Sequence, residues 1–91
     1  MIIETLEVGP LAANCYIVGD ETTKEGLIID PGAEARRILK RVKALELKIK
    51  YIVLTHAHVD HIGAAKQIKE STGAEVAIHA DDANSISRQP L

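Results

Sequence analysis

Phenylalanine and tryptophan are missing from this 91-residue sequence, and tyrosine occurs only twice. Whatever core it forms must therefore be built from Ile, Leu, Val and Ala. A single cysteine, Cys15, excludes an internal disulfide framework, and its place in an apolar run reads as a small buried hydrophobe. Positive charge is not in excess: 11 Lys and Arg against 13 Asp and Glu give a formal net charge of −2. Residues such as Arg36, Arg37, Lys40, Arg41 and Lys43 interleave with apolar positions as a solvated helix face does, so no basic patch points to nucleic acid. No apolar stretch approaches the length of a membrane span, and no charged-then-apolar leader opens the sequence, so a cytoplasmic location off the membrane is expected. The length allows one domain at most.

What is present is an α/β alternation without a linker or repeat. Ile2–Leu6 and Asn14–Val18 read as strands separated by the Gly9-Pro10 turn signal, and a polar connection leads to a third strand, Leu27–Asp30. These three should form an antiparallel group. Pro31-Gly32 ends it, and Ala35, Ile38, Leu39, Val42 and Leu45 then fall at helical spacing within 33–45. Ile49–Leu54 reads as a buried strand. A short helix carrying Ile62, Ala65 and Ile68 and stopped by Gly73 follows, then a last strand, Glu75–His79.

Three of the four histidines sit between the buried strand and the second helix, in Thr55-His56-Ala57-His58-Val59-Asp60-His61-Ile62-Gly63. Neutral imidazole is the commonest protein ligand for zinc and several other transition metals. His56 and His58, two apart in extended backbone, project to one side and can share one ion. Asp60 and His61 lie where the chain turns into the helix and aim at a neighbouring point, which suggests a second ion. Metals paired at about 3.5–4 Å stabilise both the attacking and the leaving oxygen of a hydrolysis. Asp60 is also a preferred residue at a helix start.

The stretch from Thr55 to Gly63 resembles the signature of the metallo-β-lactamase superfamily, in its glyoxalase-II-like branch. Asn14-Cys15-Tyr16-Ile17-Val18, Leu27-Ile28-Ile29-Asp30-Pro31-Gly32 and Val76-Ala77-Ile78-His79 are similar to neighbouring segments of the same family. The resemblance implies an α/β fold that is half of an αββα sandwich: a mixed sheet of about five strands with two helices on one face. It implies that His56 and His58 bind the first metal and that Asp60 and His61 bind the second, with Asp60 positioning or deprotonating the water. Asp30 would lie behind the ligands and orient one of them, and His79 would be a further neighbour behind the site. One or two zinc ions are the implied cofactor, with other divalent metals possible.

Complete members of the family are longer, and their second half supplies further ligands that have no counterpart among residues 1–91. The sequence therefore reads as a single N-terminal half-domain. A catalytic zinc typically has three protein ligands and a water, and a structural one has four, so two ligands per ion are too few. A second copy of the chain is the simplest completion, because closed two-fold dimers are the commonest homo-oligomers. The sheet face that would meet a second half should then be exposed. The expected activity is metal-dependent hydrolysis of a small-molecule ester, thioester, lactam or phosphodiester bond. The alternatives are a metal-binding half-domain without catalysis and a fragment that needs a complementary chain.

Overall fold

The structure, a computed structural model, describes residues 1–55 and 62–78 of the chain. In order, the elements are β1 (Ile2–Val8), β2 (Ala13–Gly19), β3 (Glu25–Ile29), α1 (Ala35–Ala44), β4 (Lys48–Leu54), α2 (Ile62–Thr72) and β5 (Glu75–Ile78). The described bounds lie within two residues of those expected from sequence, and His79, expected to end the last strand, lies outside the described residues.

The strands form one sheet in the order β1-β2-β3-β4-β5. The first three pair antiparallel, as expected, and β3–β4 and β4–β5 pair parallel. Parallel neighbours need a crossover, and α1 and α2 supply the two. Both helices lie on one face, where they touch each other, giving the mixed sheet with one-sided helical cover that the sequence implied.

Alternation along the strands explains that cover. Cys15 and Ile17 of β2, Ile28 of β3, Ile52 and Leu54 of β4, and Val76 and Ile78 of β5 all point to the helices and are buried. Ala35, Ile38 and Val42 of α1 and Ala65 and Ile68 of α2 meet them. Five isoleucines, at 17, 28, 38, 52 and 68, are among the fully buried side chains, and no described polar side chain is buried with them. α2 ends at Gly73, whose φ of 74° is left-handed and whose N–H reaches the Lys69 carbonyl at 2.7 Å. Among the described residues no helix is long and apolar enough to cross a membrane.

At the sheet end remote from the histidine motif, Gly19 and Gly26 pair across β2 and β3, and Leu47 fills the space that their missing side chains leave. A Cβ on Gly26 would stand 2.7 Å from the Val18 carbonyl oxygen, a backbone atom that cannot swing away. Gly26→Ala is therefore expected to cost about 1–3 kcal/mol, the range for overpacking. Urea unfolding followed by circular dichroism should show the midpoint falling with little change in slope; an unchanged midpoint would mean that the strands separate freely here.

Candidate functional site

β4 ends at Leu54, and Thr55 is the last described residue before the ligand run. His56, His58, Asp60 and His61, the expected metal ligands, lie outside the described residues, as does His79. Among the described residues no three His, Cys, Asp or Glu side chains are grouped to hold a metal. What the structure defines is the platform on either side of the run: Thr55 before it and α2 after it, at the C-terminal end of the parallel strands. That is where α/β sheets tend to place ligands.

Asp30 fixes this end of the platform. It follows β3 in a left-handed conformation, φ 54°, which aspartate tolerates better than most L-residues. Its N–H donates to the Val53 carbonyl at 2.9 Å, which extends the β3–β4 pairing past the last strand residue. Its carboxylate then accepts twice from Thr55: the backbone N–H reaches Oδ1 at 2.7 Å and the hydroxyl reaches Oδ2 at 2.5 Å. Both bonds are partly buried and charge-assisted, the stronger class of hydrogen bond. The sequence marks Asp30 as a candidate but Thr55 only as the first residue of the motif. The hydroxyl next to an expected ligand, at the end of a strand, was the available signal.

The β1–β2 turn is anchored at the same end. The Gly9 N–H donates to Glu34 Oε2 at 2.7 Å, and the Arg37 guanidinium donates to the Glu7 carbonyl, so the start of α1 holds the turn from below. Val8, Gly9, Pro10, Leu11, Ala13, Gly32 and Ala33 line a cavity of about 280 Å³ there. Leu11 is 90% exposed at its rim. Close by in β2, Cys15 is fully buried, as expected. Burial pushes its thiol up to about 12, with the charge of Asp30 adding to the shift and Arg37 opposing it.

A family model described as the metallo-beta-lactamase superfamily matches residues 8–91. An uncharacterized protein of Aquifex aeolicus is 51% identical over 70 residues, covering 77% of this chain and 32% of its own length. The hydroxyacylglutathione hydrolase GloC of Haemophilus influenzae is 43% identical over 76 residues, 84% of this chain and 35% of that protein. The chain thus spans well under half the length of these relatives. Among solved structures, ETHE1 from Myxococcus xanthus superposes with a TM-score of 0.81 at 32% identity, over 100% of this chain and 41% of that one. A protein solved in a di-iron-bound form matches at TM-score 0.72 and 31% identity, over 97% and 50% of the two chains. A class B3 di-zinc metallo-β-lactamase from an Alaskan soil metagenome matches at TM-score 0.60 and 33% identity, over 78% and 28%.

Two outcomes follow from the platform. Asp30→Ala strands the Thr55 N–H and hydroxyl and forces alanine into a left-handed backbone, so a loss of about 1–3 kcal/mol is expected in chemical denaturation. Asp30→Asn, which still accepts one bond and tolerates the conformation, should lose less; equal losses would show that the carboxylate does not act through Thr55. For Cys15, a thiol reagent at pH 8 should react slowly with the native chain and stoichiometrically in 6 M urea. The folded thiol keeps its proton between its ordinary value of 9.0 and about 12, where the unfolded one loses it, so stability should fall as pH rises through that window.

Proposed function

We propose, because this chain belongs to the metallo-β-lactamase superfamily, that it is a zinc-dependent hydrolase-type half-domain whose metal site is completed by a second copy of itself. The observation that carries this reading is the family match, which runs through the His-x-His-x-Asp-His stretch. Three imidazoles and a carboxylate form a nitrogen and oxygen donor set that fits zinc and also iron. The di-iron and di-zinc forms of similar proteins support a paired site without choosing the metal.

His56 and His58 would hold one ion, Asp60 and His61 a second, with His79 as an outer neighbour. Zinc, when bound, lowers the pKa of a coordinated water to about 7 and polarises the bond under attack. The chain's own residues then have distinct tasks. Asp60 would position the attacking water or accept its proton. Asp30 acts on the residue before the run, holding both hydrogen-bonding groups of Thr55. The apolar cavity beside the β1–β2 turn gives an acyl group a place to rest.

Thioesters are the first substrate class to test, since a 43% identical relative is named a hydroxyacylglutathione hydrolase and an acyl-glutathione carries that bond. Esters, lactams and phosphodiesters are the further classes. The coverage of 32% and 35% of the relatives' lengths favours a second reading, in which the remaining ligands come from a complementary polypeptide and the isolated chain binds metal without turning over.

The test is hydrolysis of an S-acyl-glutathione, an aryl ester, a chromogenic lactam and an aryl phosphodiester by zinc-loaded chain. Turnover above zinc buffer is expected, abolished by chelation, and reduced in His58→Ala by more than the about 10–100-fold typical of outer-shell substitutions. Bound zinc without turnover would leave the metal-binding reading standing alone. No zinc retained after dialysis against a modest zinc buffer would sink both readings for the isolated chain.

A further inference from the structure

On the helical side of the sheet, α1 and α2 both end beside the first residues of β4, and together they leave a cavity of about 350 Å³. That volume falls within the range of small-molecule sites. At about 3.3 Å per residue, β4 carries Lys48 on the order of 20 Å from Leu54, so the cavity lies well away from the platform at Thr55. Its floor is aliphatic, made by Leu39 and Val42 of α1 with Leu47 and Ile49. Its rim carries Lys43, Lys48 and Ser71, all exposed, and among the described residues no Asp or Glu lines it.

Two lysines beside two helix C-termini have an ordinary explanation, which is that their charge satisfies the last carbonyls. Here those carbonyls are already taken. In α1 the Arg41, Lys43 and Val42 carbonyls accept from the N–H groups of Leu45, Glu46 and Leu47 at 2.9, 3.0 and 3.1 Å, and Glu46 is left-handed, φ 58°, to close the turn. In α2 the Lys69 carbonyl accepts from the Gly73 N–H and the Ile68 carbonyl from the Thr72 hydroxyl. Among the described residues neither the Lys43 nor the Lys48 ammonium has an ion-pair partner, and the Ser71 hydroxyl has no hydrogen bond. Arg37 and Arg41, elsewhere on α1, are by contrast paired with Glu34 and Glu4. The charge at the cavity is thus not consumed by the fold.

We propose that this cavity binds an aliphatic phosphomonoester, with the phosphate held by Lys43, Lys48 and the Ser71 hydroxyl and the chain lying on the Leu39, Val42, Leu47 and Ile49 floor. Charge and shape select this class. Two ammonium groups match the charge of about −1.5 to −2 that a phosphomonoester carries at neutral pH, where a carboxylate would leave one of them unmatched. Lysine serves phosphate as a point charge and needs no planar fork, which suits three donors arriving from α1, β4 and α2. The floor selects against a ligand polar throughout: inorganic phosphate would leave that apolar surface wet, and an aliphatic body removes it from water. The site is formed wholly within residues 39–72, apart from the histidine motif, so it stands whether or not the metal reading does.

Titration of the ¹⁵N-labelled chain with hexyl phosphate, in metal-free buffer, tests it. Saturable shifts are expected at the amides of Lys43, Lys48 and Ser71, with the Thr55 amide unmoved. Inorganic phosphate, which lacks the body, hexanol, which lacks the charge, and hexanoate, which has less of it, should each bind at least about tenfold more weakly. Lys43→Gln combined with Lys48→Gln should weaken hexyl phosphate about tenfold or more while leaving the circular dichroism of the fold unchanged. Lys66→Gln combined with Lys69→Gln, which removes as much charge without touching the cavity lining, should leave the affinity as it is. No saturable shift at millimolar hexyl phosphate overturns the site, as does an equal loss in the two double variants. Inorganic phosphate binding as tightly as hexyl phosphate overturns the role of the floor, and hexanoate binding as tightly overturns the choice of a phosphomonoester.

Discussion

The two hydrogen bonds from Thr55 to the Asp30 carboxylate are the constraint around which the functional end of this chain is arranged. They join the exits of two adjacent parallel strands, β3 and β4, at the point where ladder pairing stops. Without them Thr55 would be the frayed end of a strand, free to choose several directions. With them its backbone N–H and its hydroxyl are both committed. The left-handed backbone of Asp30 is the conformational cost of this arrangement, offset by two charge-assisted bonds and by the N–H that Asp30 itself donates to Val53. The same carboxylate adds to the burial that keeps the Cys15 thiol of the adjacent strand protonated.

A core without aromatic side chains has a consequence for the rest of the molecule. Isoleucine and valine fill a pleated surface well, and five fully buried isoleucines weld the sheet to α1 and α2. They are too short to reach around the sheet. Each side of it must find its own cover, and the helices cover one. Among the described residues the helices cover one face of the sheet, the arrangement of half a sandwich.

Much of this was legible in the sequence because two periodicities dominate it. The helical spacing from Ala35 to Leu45 and the alternation in Asn14–Val18 each have one dominant reading, and Gly73 marks a helix end because its left-handed φ is what terminates α2. The Gly9-Pro10 signal placed the first turn but not its anchor: that Glu34 would hold the Gly9 N–H depends on a contact across 25 residues, which no local pattern encodes. Thr55 illustrates the same limit. Its neighbours announced metal chemistry so strongly that its own task, accepting orientation from Asp30, showed only when β3 and β4 were laid side by side. The small pair Gly19 and Gly26 carried no meaning until Leu47 was seen filling the space beside them. The ligand run itself, His56 to His61, was read from sequence and family likeness, and those residues lie outside the described ones.

On the proposed reading, ligand number is the constraint on the site: four candidate donors on one chain fit zinc and iron alike and are too few to hold two ions. Because a metal held by two chains binds the pair and not the single copy, its affinity and the association of the chains are thermodynamically coupled, each strengthening the other by the same factor. The strength of association without metal then decides where the cost of assembly falls. If the chains associate beforehand, binding energy is not consumed in bringing their ligand runs together. Chains that associate weakly would leave the ion to do that work, and the site would form only at chain concentrations high enough to pair them.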